Sequence, residues 1–212
     1  MSVVFWDVDT QVDFMRPEGK LYVPGAVEIG PALDELTRAA ARPGIVRVAS
    51  VCDHVLEDDE ISGTPDFRNT FPPHCLRGTP GQAKVPETAL ADPLVVPNRP
   101  EDPALLASRL ARHAGEVLIE KNHFDVFTNP NTSAVLDTLA PDTIVVYGVA
   151  QDVCDAHAIA GFLKRGGLRV VFVEDAARPI DAARGAALLA DWKRQGVEVV
   201  RTEEALKAFS DP

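Results

Sequence analysis

Short apolar runs alternate along the chain with longer stretches of helical periodicity. Val3–Trp6, Ile45–Val51, Val117–Ile119, Thr143–Tyr147, Arg169–Val173 and Val197–Val200 are brief and rich in β-branched residues. Gly, Pro or charged positions bound them, which predicts six buried strands. Between them, Glu28–Ala41 carries Ile29, Leu33 and Leu36 at helical spacing and stops before Pro43-Gly44. Pro103–His113, Ser133–Leu139, Asp152–Arg165, Ala182–Gln195 and Glu203–Phe209 are the other predicted helices, with Asn131 or Thr132 capping the second of these and Gly166-Gly167 ending the third. Strand and helix in regular alternation imply an α/β fold of three layers, α/β/α, around a mainly parallel six-stranded sheet. In such sheets ligands bind beyond the carboxyl ends of the strands.

The stretch from Cys52 to about Val95 breaks the rhythm. It is rich in Pro, Gly, Asp and Thr, and it carries His, Cys and aromatic residues. A loop this long inside a compact domain is usually functional or disordered, and its side chains favour function. The chain of 212 residues suits one domain, 1–212, with this loop as its functional insertion. A formal net charge of −11 repels phosphate backbones, so nucleic acid is not an expected partner. Cys52, Cys75 and Cys154 are too few and too odd in number for a disulfide framework. No secretory signal and no membrane-length apolar run is visible, so a cytoplasmic protein without a membrane partner is expected.

Three residues fall just past predicted strand ends or at the helix start that follows one: Asp9, Lys121 and Cys154. Cys154 opens a helix, where unpaired N–H groups and positive partial charge favour a thiolate and can hold an oxyanion. A small buried core cysteine is the competing reading. Asp9 sits among Asp7 and Asp13; a carboxylate near a thiol serves as general acid and base, whereas Asp7 and Asp13 read as solvated strand-end or turn acids. Lys121 reads alone as a surface lysine, and only its company suggests a role in stabilising negative charge. Cys52, His54, Glu60 and His74 are metal-ligand types at irregular spacing. Phe14, Phe71, Phe124 and Phe127 either line an aromatic pocket or pack in the core. His113, His123 and His157 have weaker cases; His157 lies about one helical turn after Cys154. Phosphate-cradling glycine loops and a serine elbow are absent from the sequence.

Together these motifs resemble the isochorismatase-like cysteine hydrolases, nicotinamidases in particular. Val8-Asp9-Thr10-Gln11-Val12-Asp13-Phe14 looks like the family's Asp-x-Gln-x-Asp-Phe, and Gly148-Val149-Ala150-Gln151-Asp152-Val153-Cys154 like its nucleophile motif Gly-Val-Ala-Thr-Asp-x-Cys. Ser62-Gly63-Thr64-Pro65-Asp66-Phe67, Phe71-Pro72-Pro73-His74-Cys75 and Gly78-Thr79-Pro80-Gly81 are similar to the nicotinamidase metal loop. The likeness spans roughly residues 3 to 175. It implies an Asp9, Lys121 and Cys154 triad, a cis peptide before Ala150, and an oxyanion site made by the N–H groups of Ala150 and Cys154.

The departures are as informative. The family's Asp-x-His reads Cys52-Asp53-His54, and its middle His is Glu60, so only His54 and His74 match the usual ligands. Zn²⁺ or another divalent ion on Cys52, His54, Glu60 and His74, or no ion, are the two outcomes left open. Gln151 replaces Thr beside the pocket, and Phe124-Asp125-Val126-Phe127 replaces Tyr-Ser-x-Phe. The resemblance implies hydrolysis of a small amide through a cysteine thioester, nicotinamide first. Another amide or carbamoyl compound, an isochorismatase-type hydrolysis and a non-catalytic binder are the alternatives. It also implies a homo-oligomer.

Overall fold

The structure is a computed structural model that describes residues 2–209. Its centre is one parallel sheet of seven strands: β1 (Val3–Val8), β2 (Ile45–Cys52), β3 (Leu94–Val96), β4 (Val117–Lys121), β5 (Thr143–Val149), β6 (Arg169–Arg178) and β7 (Glu198–Val200), in the order β3-β4-β2-β1-β5-β6-β7. The sequence predicts six strands. The seventh, β3, has three residues between Pro93 and Pro97, too short to show a period, and it lies at the sheet edge. The predicted strand ends also fall short: β1, β4, β5 and β6 all run past the apolar stretch that marks them.

Helices α1 (Val12–Met15), α2 (Gly30–Ala40), α3 (Pro103–Arg112), α4 (Thr132–Leu139), α5 (Ala156–Arg165), α6 (Ala182–Arg194) and α7 (Thr202–Ala208) cover the sheet. Strand alternation divides the core. Val4, Trp6 and Val8 of β1 pack with Leu106 of α3, Val135 of α4, Phe162 of α5 and Trp192 of α6. Val3 and Phe5 pack on the other face with Met15 of α1, Leu33 and Leu36 of α2 and Ala205 of α7. Burying a side chain such as Leu33 or Phe162 contributes about 1.5–3 kcal/mol. Asp102 caps α3 by accepting the Ala104 and Leu105 N–H groups, and Asp181 caps α6 in the same way.

This topology places a crevice. From β1 the chain moves to one side, through β2, β3 and β4; from β4 it crosses back to β5, on the other side of β1. The carboxyl ends of β1, β2, β4 and β5 therefore converge at a switch point. The long loop closes over this end. It is pinned by short bridges, His54 with Leu76, Ile61 with Phe71 and Gln11 with Lys84. The Asp13 carboxylate accepts the Cys75 N–H (2.6 Å) and the Lys20 N–H (3.0 Å), holding the loop to α1. No helix among the described residues is long and apolar enough to cross a membrane.

Candidate active site

Asp9 follows β1 in a left-handed conformation, φ 48°, so its side chain leaves the alternation that a continued strand would impose. Asp7 and Asp9 consequently have different surroundings. Asp9 Oδ1 accepts from Ser50 Oγ at 2.8 Å, and Oδ2 lies 2.8 Å from Lys121 Nζ. Lys121, at the end of β4, is fully buried, so the surface reading of this lysine does not hold. Its ammonium also reaches Cys52 Sγ (3.1 Å) and Cys154 Sγ (4.0 Å). Burial works against the lysine's charge, yet Asp9 holds its pKa well above the usual value.

Cys154 stands after β5 on a wide π-type turn, Gln151–Asp155, rather than in the first turn of the predicted α-helix; α5 begins only at Ala156. The Ala150 carbonyl accepts both the Val153 N–H (3.0 Å) and the Asp155 N–H (3.2 Å). The Val149–Ala150 peptide is cis. At Gly148 the backbone has φ 132° and a Cβ would stand 2.1 Å from the Val8 carbonyl oxygen, so only glycine lets β5 approach β1 this closely. Burial pushes the Cys154 thiol well up; Lys121 opposes this and Asp9 adds to it, so the resting sulfur keeps its proton.

The sulfur lies in a pocket lined mainly by apolar groups, among them Phe14, Phe71, Phe124 and Ala150. Leu21, Val23, Val153 and Ile180 add apolar wall, and Cys52, Glu60 and His74 also line it. No sequence pattern marked Leu21, Val23 or Ile180, because segments far apart in the chain deliver them; Val153 comes with the Cys154 turn. Phe127 and Gln151, expected at the substrate, do not line it. The Phe127 ring occupies the space left by Gly161 and packs edge-on to Phe162, while Gln151 Nε2 donates to the Gly185 carbonyl and ties the turn to α6. Asp152 accepts the Ile180 and Asp181 N–H groups, fixing that wall. His123 and His157 flank the Phe124 ring, with centroids at 3.8 and 4.6 Å, and His113 lies away from the cavity beside Glu116.

The remaining candidates cluster at the cavity wall. One ligand atom each from Cys52, His54 and His74 lies within 4.8 Å of the others, all buried. Glu60 Oε1 lies 3.8 Å from Nε2 of both histidines. His74 Nδ1 donates to the Pro72 carbonyl (2.8 Å), and His54 Nδ1 meets the Asp58 carboxylate at 3.2 Å. Each ring is thereby oriented by one nitrogen and turns the other inward. Both Nε2 atoms and Glu60 Oε2 are buried without a hydrogen-bond partner among the described residues. Burial lowers the His74 pKa to about 4, so its imidazole is neutral at neutral pH, the form that ligates metals. Burial pushes the Glu60 carboxyl up to about 7, despite Lys121. Orphaned lone pairs converging in this way fit a cation, and Cys52, His54, Glu60 and His74 could hold it.

Two sequence expectations fail here. Asp7 and Asp13 are not solvated: Asp7 is fully buried against Arg47 and Lys84, and Asp13 is buried in its loop contacts. Strand-end carboxylates look alike in sequence whatever their distant partners are.

Residues 95–204 match the sequence profile of the isochorismatase domain family. Over 74 residues the chain is 40% identical to the nicotinamidase/pyrazinamidase of Mycobacterium tuberculosis, a match spanning 35% of this chain and 39% of that protein. The nicotinamidase/pyrazinamidase structure from Bacillus subtilis superposes with a TM-score of 0.75 at 21% identity, covering 95% of this chain and 100% of that one. The pyrazinamidase of Pyrococcus horikoshii, solved in complex with zinc, superposes with a TM-score of 0.72 at 25% identity, covering 95% of this chain and 99% of that one.

Proposed function

The chain belongs to the isochorismatase family, and on that premise we propose that it hydrolyses a small neutral amide, nicotinamide first among candidates, with Cys154 as nucleophile. The observation that carries this reading is the buried Asp9–Lys121 pair, whose ammonium reaches the Cys154 thiol that lines an apolar pocket. The similarity to nicotinamidases supports the substrate class.

In the proposed reaction the thiol stays protonated until substrate arrives. Cys154 Sγ then attacks the amide carbonyl carbon while Asp9 takes the thiol proton. The negative oxygen of the tetrahedral intermediate rests against the N–H groups of Ala150 and Cys154. Lys121 keeps its charge throughout and balances that of Asp9. Asp9 returns the proton to the amide nitrogen, the C–N bond breaks and ammonia leaves. Water then attacks the thioester carbonyl, giving its proton to Asp9, and the carboxylic acid departs as the thiol is restored. A divalent ion held by Cys52, His54, Glu60 and His74 would supply a Lewis-acid contact for a ring nitrogen of the substrate at the pocket edge.

The pocket also weighs among substrates. No Lys or Arg is among the residues lining it, so a carbamoyl amino acid would bring its carboxylate to a wall without a counter-charge. Phe14, Phe71 and Phe124 suit a flat uncharged ring instead. The test is ammonia release from a panel of nicotinamide, pyrazinamide, aliphatic amides and a carbamoyl amino acid, in wild type and Cys154→Ala. Release from the aromatic amides, lost in the variant, is the expected result. Release that survives Cys154→Ala, or none from any amide, would overturn the reading.

A further inference from the structure

We propose that Cys52 makes the cluster at the pocket wall a thiolate metal centre, selective for thiophilic ions of the zinc type over oxygen-preferring ions such as Mn²⁺ or Mg²⁺. The inference takes its setting from the amide-hydrolysis reading, but the ligand set stands on its own geometry.

Cys52, His54 and His74 bring one ligand atom each within 4.8 Å of the others, Glu60 stands beside both histidines, and three features fix this arrangement. Gln11 clamps the Cys52 main chain from both sides, its Oε1 accepting the Cys52 N–H at 2.7 Å and its Nε2 donating to the Cys52 carbonyl at 2.8 Å. This fixes the backbone from which Sγ projects. Asp58 and the Pro72 carbonyl hold the imidazoles by their Nδ1 atoms, the outer-shell arrangement usual for metal-bound histidines. Glu60 stands 3.8 Å from each free Nε2, close enough to share a cation with them.

The donor chemistry then decides the ion. Two imidazoles and one thiolate, with a carboxylate beside the imidazoles, are a donor set rich in nitrogen and sulfur, which suits zinc-type ions; six oxygens, which Mg²⁺ and Mn²⁺ prefer, are not offered. Binding exchanges the Cys52 S–H bond for an S–metal bond and releases one proton to solvent. The thiolate and Glu60 together balance the charge of a divalent ion. Lys121 Nζ, 3.1 Å from Cys52 Sγ, is already in place to hydrogen-bond the coordinated sulfur. The same ammonium faces Asp9, so the metal centre and the hydrolytic pair share one cation.

Co²⁺ reports on sulfur ligation directly. The full chain, stripped by a chelator and titrated with Co²⁺, should show a near-ultraviolet sulfur-to-cobalt charge-transfer band at stoichiometric loading. Cys154→Ala should keep the band although it abolishes the proposed hydrolysis, which separates failure of this inference from failure of that reading. Cys52→Ser should lose the band and weaken Zn²⁺ binding by more than the roughly 10–100-fold typical of outer-shell losses. Cys52→Asp retains a ligand and should bind Co²⁺ without the band, so the test survives misfolding of the serine variant. Zn²⁺ and Cd²⁺ should displace Co²⁺ from wild type, and Mn²⁺ and Mg²⁺ should not. No band in wild type, a band retained in both Cys52 variants, or displacement by Mn²⁺ as ready as by Zn²⁺ would overturn the inference.

Discussion

Asp7 and Asp9 lie two positions apart at one end of the same strand, and neither has measurable exposure. Their surroundings differ in how far each carboxylate's bonding is completed. Asp7 Oδ1 accepts from Thr10 Oγ1 at 2.7 Å, and Oδ2 meets both Arg47 (2.9 Å) and Lys84 (3.1 Å). Arg47 in turn pairs with Glu116 at 2.6 Å, so two acids and two bases close the charge balance. Asp9 has one cation, Lys121, and that cation is shared with two thiols at the floor of a cavity. Burial does not separate a scaffold charge from a working one. Charge balance and setting do: the Asp7 cluster pairs two acids with two bases and holds β1 to β2 and to the loop at Lys84, whereas the single cation of Asp9 also faces two thiols that line a cavity.

Substitutions at the two clusters should break the comparison in different currencies. The largest effect is expected from Cys154→Ala, which should cut amide hydrolysis by roughly 10⁶-fold, the scale of removing a covalent nucleophile, while leaving the denaturant midpoint nearly unchanged. Asp9→Asn should slow hydrolysis on the order of 10²–10⁴-fold, as measured by ammonia release at saturating substrate. An Asp9→Asn enzyme of normal rate would remove Asp9 from the reaction and make it a second structural acid.

Asp7→Asn should do the reverse. It strands Arg47 and Lys84 without their anion and should cost about 3–5 kcal/mol in urea unfolding, with kcat per folded molecule preserved. Burial raises the Asp7 pKa, but Lys84 and Arg47 together more than offset it, and the group sits below its ordinary 3.8. Its stabilisation is therefore complete above that value and is lost as pH falls through the lower folded-state value. Loss of stability on acidification should be shallower in Asp7→Asn than in wild type.

The smallest effect is expected at a third carboxylate. Asp155 is fully buried beside Cys154, and neither of its oxygens has a hydrogen-bond partner among the described residues. Burial, with Asp9, Asp152 and Asp7 adding to it, raises its pKa well above 3.8. The folded chain thus keeps a proton that the unfolded chain releases, a penalty absent below pH about 4 and growing as pH rises toward the folded-state value. Asp155→Asn should gain stability relative to wild type between about pH 4 and about pH 7, as read by thermal melts at both ends. A gain of equal size at both would show that Asp155 is ionised in the fold.

The alternation of strands and helices, the parallel sheet and its functional end were legible in the sequence, because periodicity and breakers are local properties that survive without tertiary knowledge. Residues with a rare chemical type at a strand end, such as Cys154 and Asp9, could be nominated from the same signals. The edge strand Leu94–Val96 could not, since three residues carry no period and its pairing with β4 is a long-range event. Nor could the sequence show that Asp7 is buried in an ion network, or separate a pocket-lining Phe124 from a Phe127 packed on Gly161. The partners that decide them lie 34 to 112 positions away: Gly161 for Phe127, Arg47 for Asp7, Lys121 for Asp9. A chain's local pattern determines which elements form; only their packing decides which charges are neutralised and which lone pairs are left facing a cavity.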